Sequence, residues 1–341
     1  MARKTNRVFT TNKEDIDNIL QANKELTEDF VNYLETTDHS PKSIVVYKNN
    51  LNIFFSYLYK KEHNIDYSQV KKRHILNFQN YMVKNGLSSS RIRNIKSSLS
   101  SLGLYIESML DEEEKWEGFR NIINKIPNPT LTTVREKTIL TDEQLEELLD
   151  KLIENNKIQI ATFVAMTAFS GTRKSESIQY KRSWFIDESC KNGLYITPEI
   201  RTKGHGVSGK KLQKYCLKSK VDVYLKLWDE ERKNKNIEID DLFVVKRNGE
   251  WKPATVSTVD SWMETCSKIM NIPIYCHNFR HFFVSYLRRE SVPISIIKDI
   301  VGHEDVSMSE KYDDNPKEDG FLKYFSDDGI NKIEEKKLSD L

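Results

Sequence analysis

Residues 158–177 read IQIATFVAMTAFSGTRKSES. From Ile158 to Phe169 the run is apolar apart from Gln159 and two threonines, so it predicts a helix buried on all sides at the centre of a core. It falls well short of the roughly 20 residues that a membrane-spanning helix needs, and no transmembrane segment is expected. Ser170-Gly171 ends it. Upstream, Thr141 with Gln144 three positions later is a capping box that opens a helix over Thr141 to Asn155. Downstream, Leu194 to Thr202 and Lys211 to Leu217 read as two strands flanking the turn KGHGVSGK, and Leu242 to Val245 as a short third strand. Helices are expected again at about Val256 to Met270, His277 to Glu290, Ile294 to Val301 and Ser307 to Tyr312. Helices with one small sheet make this half an α+β domain.

The first half reads as all helix. Ser40-Pro41 is a cap followed by a first-turn proline, and Ile44, Tyr47, Leu51, Phe54, Phe55 and Leu58 follow at helical spacing. Ile75, Phe78 and Met82 mark a second helix from about Lys72 to Lys84, which Asn85-Gly86 ends. Ser88 caps a third, with Ile92, Ile95, Leu99, Leu102 and Tyr105 facing inward. The expected organisation is a short N-terminal arm (1–20), a helical domain (21–117), a linker with Pro127 and Pro129 (118–137), a second domain (138–316) and an acidic tail (317–341). A chain of 341 residues agrees with about two domains.

Charge is unevenly placed. The whole chain carries 53 Lys+Arg against 51 Asp+Glu, a formal +2. Residues 41–110 hold 11 basic residues and three acids, residues 201–220 hold seven basic residues and no acid, and the stretch from Glu304 onward holds 12 acids against six lysines. Basic blocks on folded segments are the footprint of a polyanion. The candidate contacts are Lys42, Lys48, Lys72, Arg73, Arg91, Arg93, Lys96, Lys210 and Lys211. Cys190, Cys216, Cys266 and Cys276 form no CxxC pair, which fits reduced thiols and a cytoplasmic location. The start, MARKTNRVFTTNKED, has no apolar stretch behind its basic residues and does not read as a secretory signal.

Two motif matches lead nowhere. Gly204, Gly209 and Lys210 fit the spacing of a phosphate-cradling loop, but Lys211 stands where Ser or Thr would bind magnesium, and a strand follows instead of a helix. His277 and His281 lie one helical turn apart, with no obvious third ligand, so no metal is expected. A distributed set remains: Arg173, Lys203, His277, Arg280, His303 and Tyr312. Two guanidiniums can clamp non-bridging phosphate oxygens and hold the charge of a pentacoordinate transition state. A tyrosine hydroxyl can attack phosphorus once a neighbour takes its proton, and a lysine can protonate the departing 5′ oxygen. That is the chemical content needed to cut a phosphodiester without metal.

The segments SGTRKSES, HNFRH, VGHEDVS and the trailing Tyr312 resemble the signature boxes of the tyrosine recombinase (phage integrase) family. GLSSSRIRNIKSSLSSL and the helices around it resemble that family's core-binding domain, so the likeness spans most of the chain. Phe282 departs from the usual small or hydroxylated residue after the second arginine box, and Asp313-Asp314 depart from the small or His residues that commonly follow the tyrosine. The resemblance implies a two-domain C-shaped DNA clamp: an all-α core-binding domain, then a mostly α catalytic domain with a small antiparallel sheet.

It further implies site-specific recombination through a 3′-phosphotyrosyl intermediate and a free 5′ hydroxyl, with no cofactor, metal or ATP. Tyr312 would be the nucleophile, Arg173 and Arg280 the phosphate clamp, His277 the acid/base and His303 a further phosphate donor. Glu176 would orient. The general acid would be Lys203, with Lys210 and Lys211 open alternatives on the same turn. Double-stranded DNA and three further copies of the chain, four on two duplexes, are the implied partners, with the acidic tail docked on a neighbour and a bacterial, phage or mobile-element origin. Rival readings are a type IB topoisomerase-like or hairpin-resolving enzyme, and a non-cleaving DNA-binding protein on the same scaffold.

Overall fold

The computed structural model describes residues 12–130, 140–202 and 209–302, together with two short strands at Phe325–Ser326 and Gly329–Ile330. Lys203, His303, Tyr312, the expected helix at Ser307 to Tyr312 and the acidic tail's docking surface lie outside the described residues. No helix among the described residues is long and apolar enough to cross a membrane. The chain divides into two compact units.

The N-terminal unit is helical. Its elements are α1 (Lys13–Asp17), α2 (Gln21–Thr36), α3 (Pro41–Lys61), α4 (Lys72–Lys84) and α5 (Ser89–Met109). The caps read from the sequence are present: Ser40 Oγ accepts from the backbone N–H of Ser43 at 3.3 Å, and Ser88 Oγ from that of Arg91 at 3.2 Å. The apolar stripes of α3, α4 and α5 meet in one core with Phe30 and Leu34 of α2. Two segments read as peripheral join it. Ile19, in the expected arm, is buried, and Ile123 and Ile126 carry the core past residue 117 into the expected linker. Apolar side chains spaced too irregularly to show a period still have surface to bury, and here they extend the unit at both ends.

The C-terminal unit is built around α7 (Ile158–Ala168), with α6 (Asp142–Glu154) before it and the four-residue α8 (Lys174–Ser177) after it. The box that opens α6 closes both ways, Thr141 Oγ1 accepting from the Gln144 N–H at 3.2 Å and Gln144 Oε1 from the Thr141 N–H at 3.1 Å. Every residue of α7 from Ile160 to Ala168 is buried, as its composition predicts.

The two expected long strands are each broken. β1 (Cys190–Lys191), β2 (Leu194–Ile196) and β5 (Tyr215–Leu217) form one antiparallel sheet in the order β1-β2-β5, while β3 (Ile200–Thr202) pairs with β4 (Lys210–Leu212) as a separate hairpin. The break falls at Thr197-Pro198, because proline has no N–H for a ladder. Thr197 and Lys214 bridge the gap: the Thr197 N–H donates to the Lys214 carbonyl at 3.0 Å, and the Lys214 N–H donates to Thr197 Oγ1 at 2.9 Å.

The chain continues with α9 (Lys218–Asn234), β6 (Val244–Arg247), β7 (Glu250–Pro253), α10 (Val256–Met270), α11 (Cys276–Arg289) and α12 (Ile294–Val301). α7 packs against α6, α9 and α11, so this apolar helix is the hub of the unit.

Candidate active site

The site is assembled where α7 stops. Gly171 takes a left-handed φ of +62°, and a Cβ there would lie 2.5 Å from Phe283 Cδ1, so only glycine fits this turn. The turn aims the Gly171 carbonyl at Arg280, a residue distant in sequence on the first turns of α11. Arg280 is fully buried; its Nη1 donates to the Gly171 carbonyl and its Nη2 to the Val301 carbonyl, each at 2.7 Å. A guanidinium is planar, so two carbonyls on separate nitrogens fix its plane.

Arg173 sits just beyond the same turn, at the start of α8. Its Nη1 donates to Glu176 Oε1 at 2.8 Å and its backbone N–H to Glu176 Oε2 at 3.1 Å. Glu176 is 0% exposed, Arg173 25%. Beneath them is a chain of hydroxyls: Thr172 Oγ1 lies 2.7 Å from Ser177 Oγ and 2.9 Å from Ser170 Oγ, with the Tyr180 hydroxyl donating to Ser170 Oγ at 3.3 Å. Ser170, Thr172 and Ser177 of the SGTRKSES box therefore serve the turn that carries the arginine. Burial raises the pKa of the Tyr180 phenol, which keeps it neutral.

His277 lies three residues before Arg280, on the same face of α11. Burial, then the charges of Arg280 and Arg173, lower its pKa from the ordinary imidazole value, which favours the neutral ring. The His281 ring stands edge-on to it with centroids 5.3 Å apart, and the described residues contain no metal-ligand cluster. Phe282, the departure noted in the second box, is buried and packs edge-on against Phe169 at 5.9 Å, a core role that leaves the box's polar face untouched.

The sequence reading missed Lys214. It is 1% exposed, and its Nζ lies 3.2 Å from Glu176 Oε2. Burial lowers its pKa, Glu176 opposes that, and Arg280 and Arg173 add to the lowering, which prevails. Burial pushes the Glu176 carboxyl up, but Lys214 and then Arg173 outweigh it and hold the group below its usual value. Arg173, Lys214 and Arg280 set against Glu176 leave a net positive site, suited to an anion that gains charge in its transition state. The signal was available: Leu212, Lys214 and Cys216 share one face of an alternating strand pattern whose last member is core.

The expected DNA contacts divide. Lys42, Lys48, Lys72, Arg73 and Lys211 are exposed, while Arg91, Arg93 and Lys210 are half-buried. Lys96 does not meet the expectation of a solvent-facing ammonium: it is 3% exposed, and its Nζ donates to Gln79 Oε1 and the Ile126 carbonyl, each at 2.8 Å. Arg93 donates through Nη2 to the Pro129 carbonyl at 2.8 Å. The physical reason lies in the extension of the N-terminal core past residue 117, which brings bare carbonyls over this side of α5.

Residues 138–319 match the model of the phage integrase family, and residues 27–106 match the phage integrase N-terminal SAM-like domain. The chain belongs to the phage integrase family. A recombinase-like protein derived from the SPbeta prophage of Bacillus subtilis is 28% identical over 299 residues, covering 86% of this chain and 87% of that protein. A tyrosine recombinase of Thermosipho africanus is 26% identical, covering 84% of this chain and 93% of its own. Among solved structures, XerH recombinase bound to a palindromic difH substrate superposes with a TM-score of 0.64 at 20% identity, over 81% of this chain and 77% of that one. The Tn1549 transposon integrase with transposon end DNA gives 0.60 at 16% identity, over 89% and 98%. The two-domain, mostly helical fold is thus that of the tyrosine recombinases, and the chain is a site-specific DNA recombinase of this type.

Proposed function

We propose that this recombinase cleaves DNA by attack of the Tyr312 hydroxyl on the scissile phosphate, forming a 3′-phosphotyrosyl link and releasing a 5′ hydroxyl. The observation that carries this is the convergence of Arg173 and Arg280 on one glycine turn, with His277 inside the field of both. Arg173 and Arg280 clamp the non-bridging oxygens, His277 handles the nucleophile's proton, and His303 donates a further hydrogen bond. Lys203, which directly follows β3, protonates the 5′ oxygen; Lys210 and Lys211 on β4 share its hairpin. The phosphotyrosyl bond conserves the energy of the broken phosphodiester, so rejoining needs neither ATP nor metal. The exposed lysines of α3 and α4 bind backbone phosphates of the same duplex. Four protomers act on two duplexes, with the acidic tail docked on a neighbouring copy.

The test begins with a duplex selected by binding from a randomised pool and nicked beside the scissile position. The wild-type protein forms a covalent adduct on it, and Tyr312→Phe forms none. An adduct with the Phe variant would show the nucleophile to be another residue. Relaxation of plasmids regardless of sequence would favour a topoisomerase.

A further inference from the structure

None of the roles above uses Lys214, yet it lies at the centre of the charged cluster. It sits in the gap between β4 and β5, held by the two hydrogen bonds to Thr197. Its Nζ is 3.2 Å from Glu176 Oε2, and the same carboxylate receives the side chain and the backbone N–H of Arg173. A Cβ on Gly302, the residue before His303, would lie 3.7 Å from that Nζ. Lys214 therefore stands where the hairpin side, the Arg173 turn and the end of α12 meet.

Burying an ammonium costs more than burying a methionine of similar length, so a purely structural need would be met better by an apolar side chain. What the ammonium adds is charge balance. An isolated Arg173–Glu176 pair is neutral and would offer a phosphate little attraction. With Lys214 on the second carboxylate oxygen, the group Lys214–Glu176–Arg173 is a monocation whose exposed end is the guanidinium. The carboxylate is also held from both sides, which fixes the plane of the arginine.

We propose that Lys214 is a positioning residue for DNA cleavage: it holds the Glu176 carboxylate that aims Arg173 and keeps that arginine's charge available to the scissile phosphate. The inference rests on the phosphate-clamping role given to Arg173 above. Its depth and its contact with Glu176 set Lys214 apart from a proton donor, which must reach the leaving oxygen.

The experiment is single-turnover cleavage of the nicked duplex by the full-length chain as wild type, Lys214→Met, Lys214→Arg, Glu176→Gln and the double variant Lys214→Met/Glu176→Gln. Lys214→Met should slow cleavage by up to about 100-fold, the cost of a displaced reacting group, while the Kd for intact duplex stays within about twofold. Lys214→Arg should recover part of the rate. The double variant should be no slower than the slower single variant, because both act through one carboxylate. A duplex with sulfur as the 5′ bridging atom, which leaves without needing a proton, should not rescue Lys214→Met.

An unchanged rate in Lys214→Met overturns the proposal, and full rescue by the sulfur duplex overturns it in favour of a proton-donor role. If Lys214→Met fails to fold, the double variant, which removes both buried charges together, carries the test; wild-type cleavage by it would overturn the proposal. Failure of the wild type to form any adduct would instead defeat the underlying reading of the site.

Discussion

The two units each bury a lysine, and they do it in opposite ways. In the N-terminal unit Lys96 meets neutral acceptors, a glutamine oxygen and a main-chain carbonyl, each at 2.8 Å. In the C-terminal unit Lys214 meets a carboxylate at 3.2 Å within the influence of two arginines. Burial lowers the pKa of both, Lys96 with help from Arg93. A buried lysine among neutral oxygens ties chain to chain. One set against a carboxylate that also holds an arginine shapes a field, and fields do chemistry. Variants of the C-terminal cluster should therefore change the cleavage step, and variants around Lys96 should change stability.

Within the charged cluster the largest effect is expected from Arg280→Ala, which removes one arm of the phosphate clamp and should slow single-turnover cleavage by about 10²–10³-fold. Circular dichroism at the assay temperature would check that the variant is folded. If cleavage persists in a folded Arg280→Ala protein, the C-terminal cluster is only structural and the contrast with Lys96 collapses. Next is Gly171→Ala, which combines a left-handed φ with a clash against Phe283. It should cost about 1–3 kcal/mol of stability in a urea melt, and more if Phe283 cannot move.

Lys96→Met leaves the Ile126 carbonyl without its donor and should destabilise the N-terminal unit by about 1–3 kcal/mol, with the cleavage rate of folded protein unchanged. A cleavage defect in folded Lys96→Met would erase the distinction between the two lysines.

A gentler test uses pH. Because His277 is held below the ordinary imidazole value, its neutral form persists as pH falls, and the acid limb of the cleavage profile should lie below 6.5, moving up toward it in Arg173→Gln. The smallest effect belongs to the exposed lysines: Lys72→Ala should weaken duplex binding about equally on all sequences and reduce the log-log salt slope by about 0.9.

Much of this was legible in the sequence, for identifiable reasons. The buried helix α7 announced itself by its unbroken apolar run, and the caps at Ser40, Ser88 and Thr141 by their side chains. The strand break is signalled by Pro198, whose missing N–H cannot join a ladder. α9 was missed because its charged residues hide the few buried ones, Val221, Leu225 and Trp228, that hold it to the core. β7 was missed because its sequence, EWKP, is largely polar, although the preceding Asn248-Gly249, with φ of 51° and 83°, is a strong hairpin signal.

At the site, Arg173, Glu176, His277 and Arg280 were readable from their boxes. Lys214 and Lys96 were both counted as basic residues, and a count of charge cannot tell an ammonium that faces solvent from one that a neighbouring segment covers. For Lys96 that difference arises only when Trp116, Ile123 and Ile126 fold back on the helices, whereas for Lys214 the alternation of Leu212, Lys214 and Cys216 marks it in the sequence.

We infer that the C-terminal unit cuts DNA by tyrosine attack without metal. The most direct test is to trap the adduct on a nicked duplex in the presence of a chelator and to identify the linked peptide by mass spectrometry. The expected product is a 3′-phosphate ester on Tyr312, formed at the same rate with and without divalent cations. A link through the 5′ phosphate, a link to another residue, or a requirement for a divalent cation would contradict it.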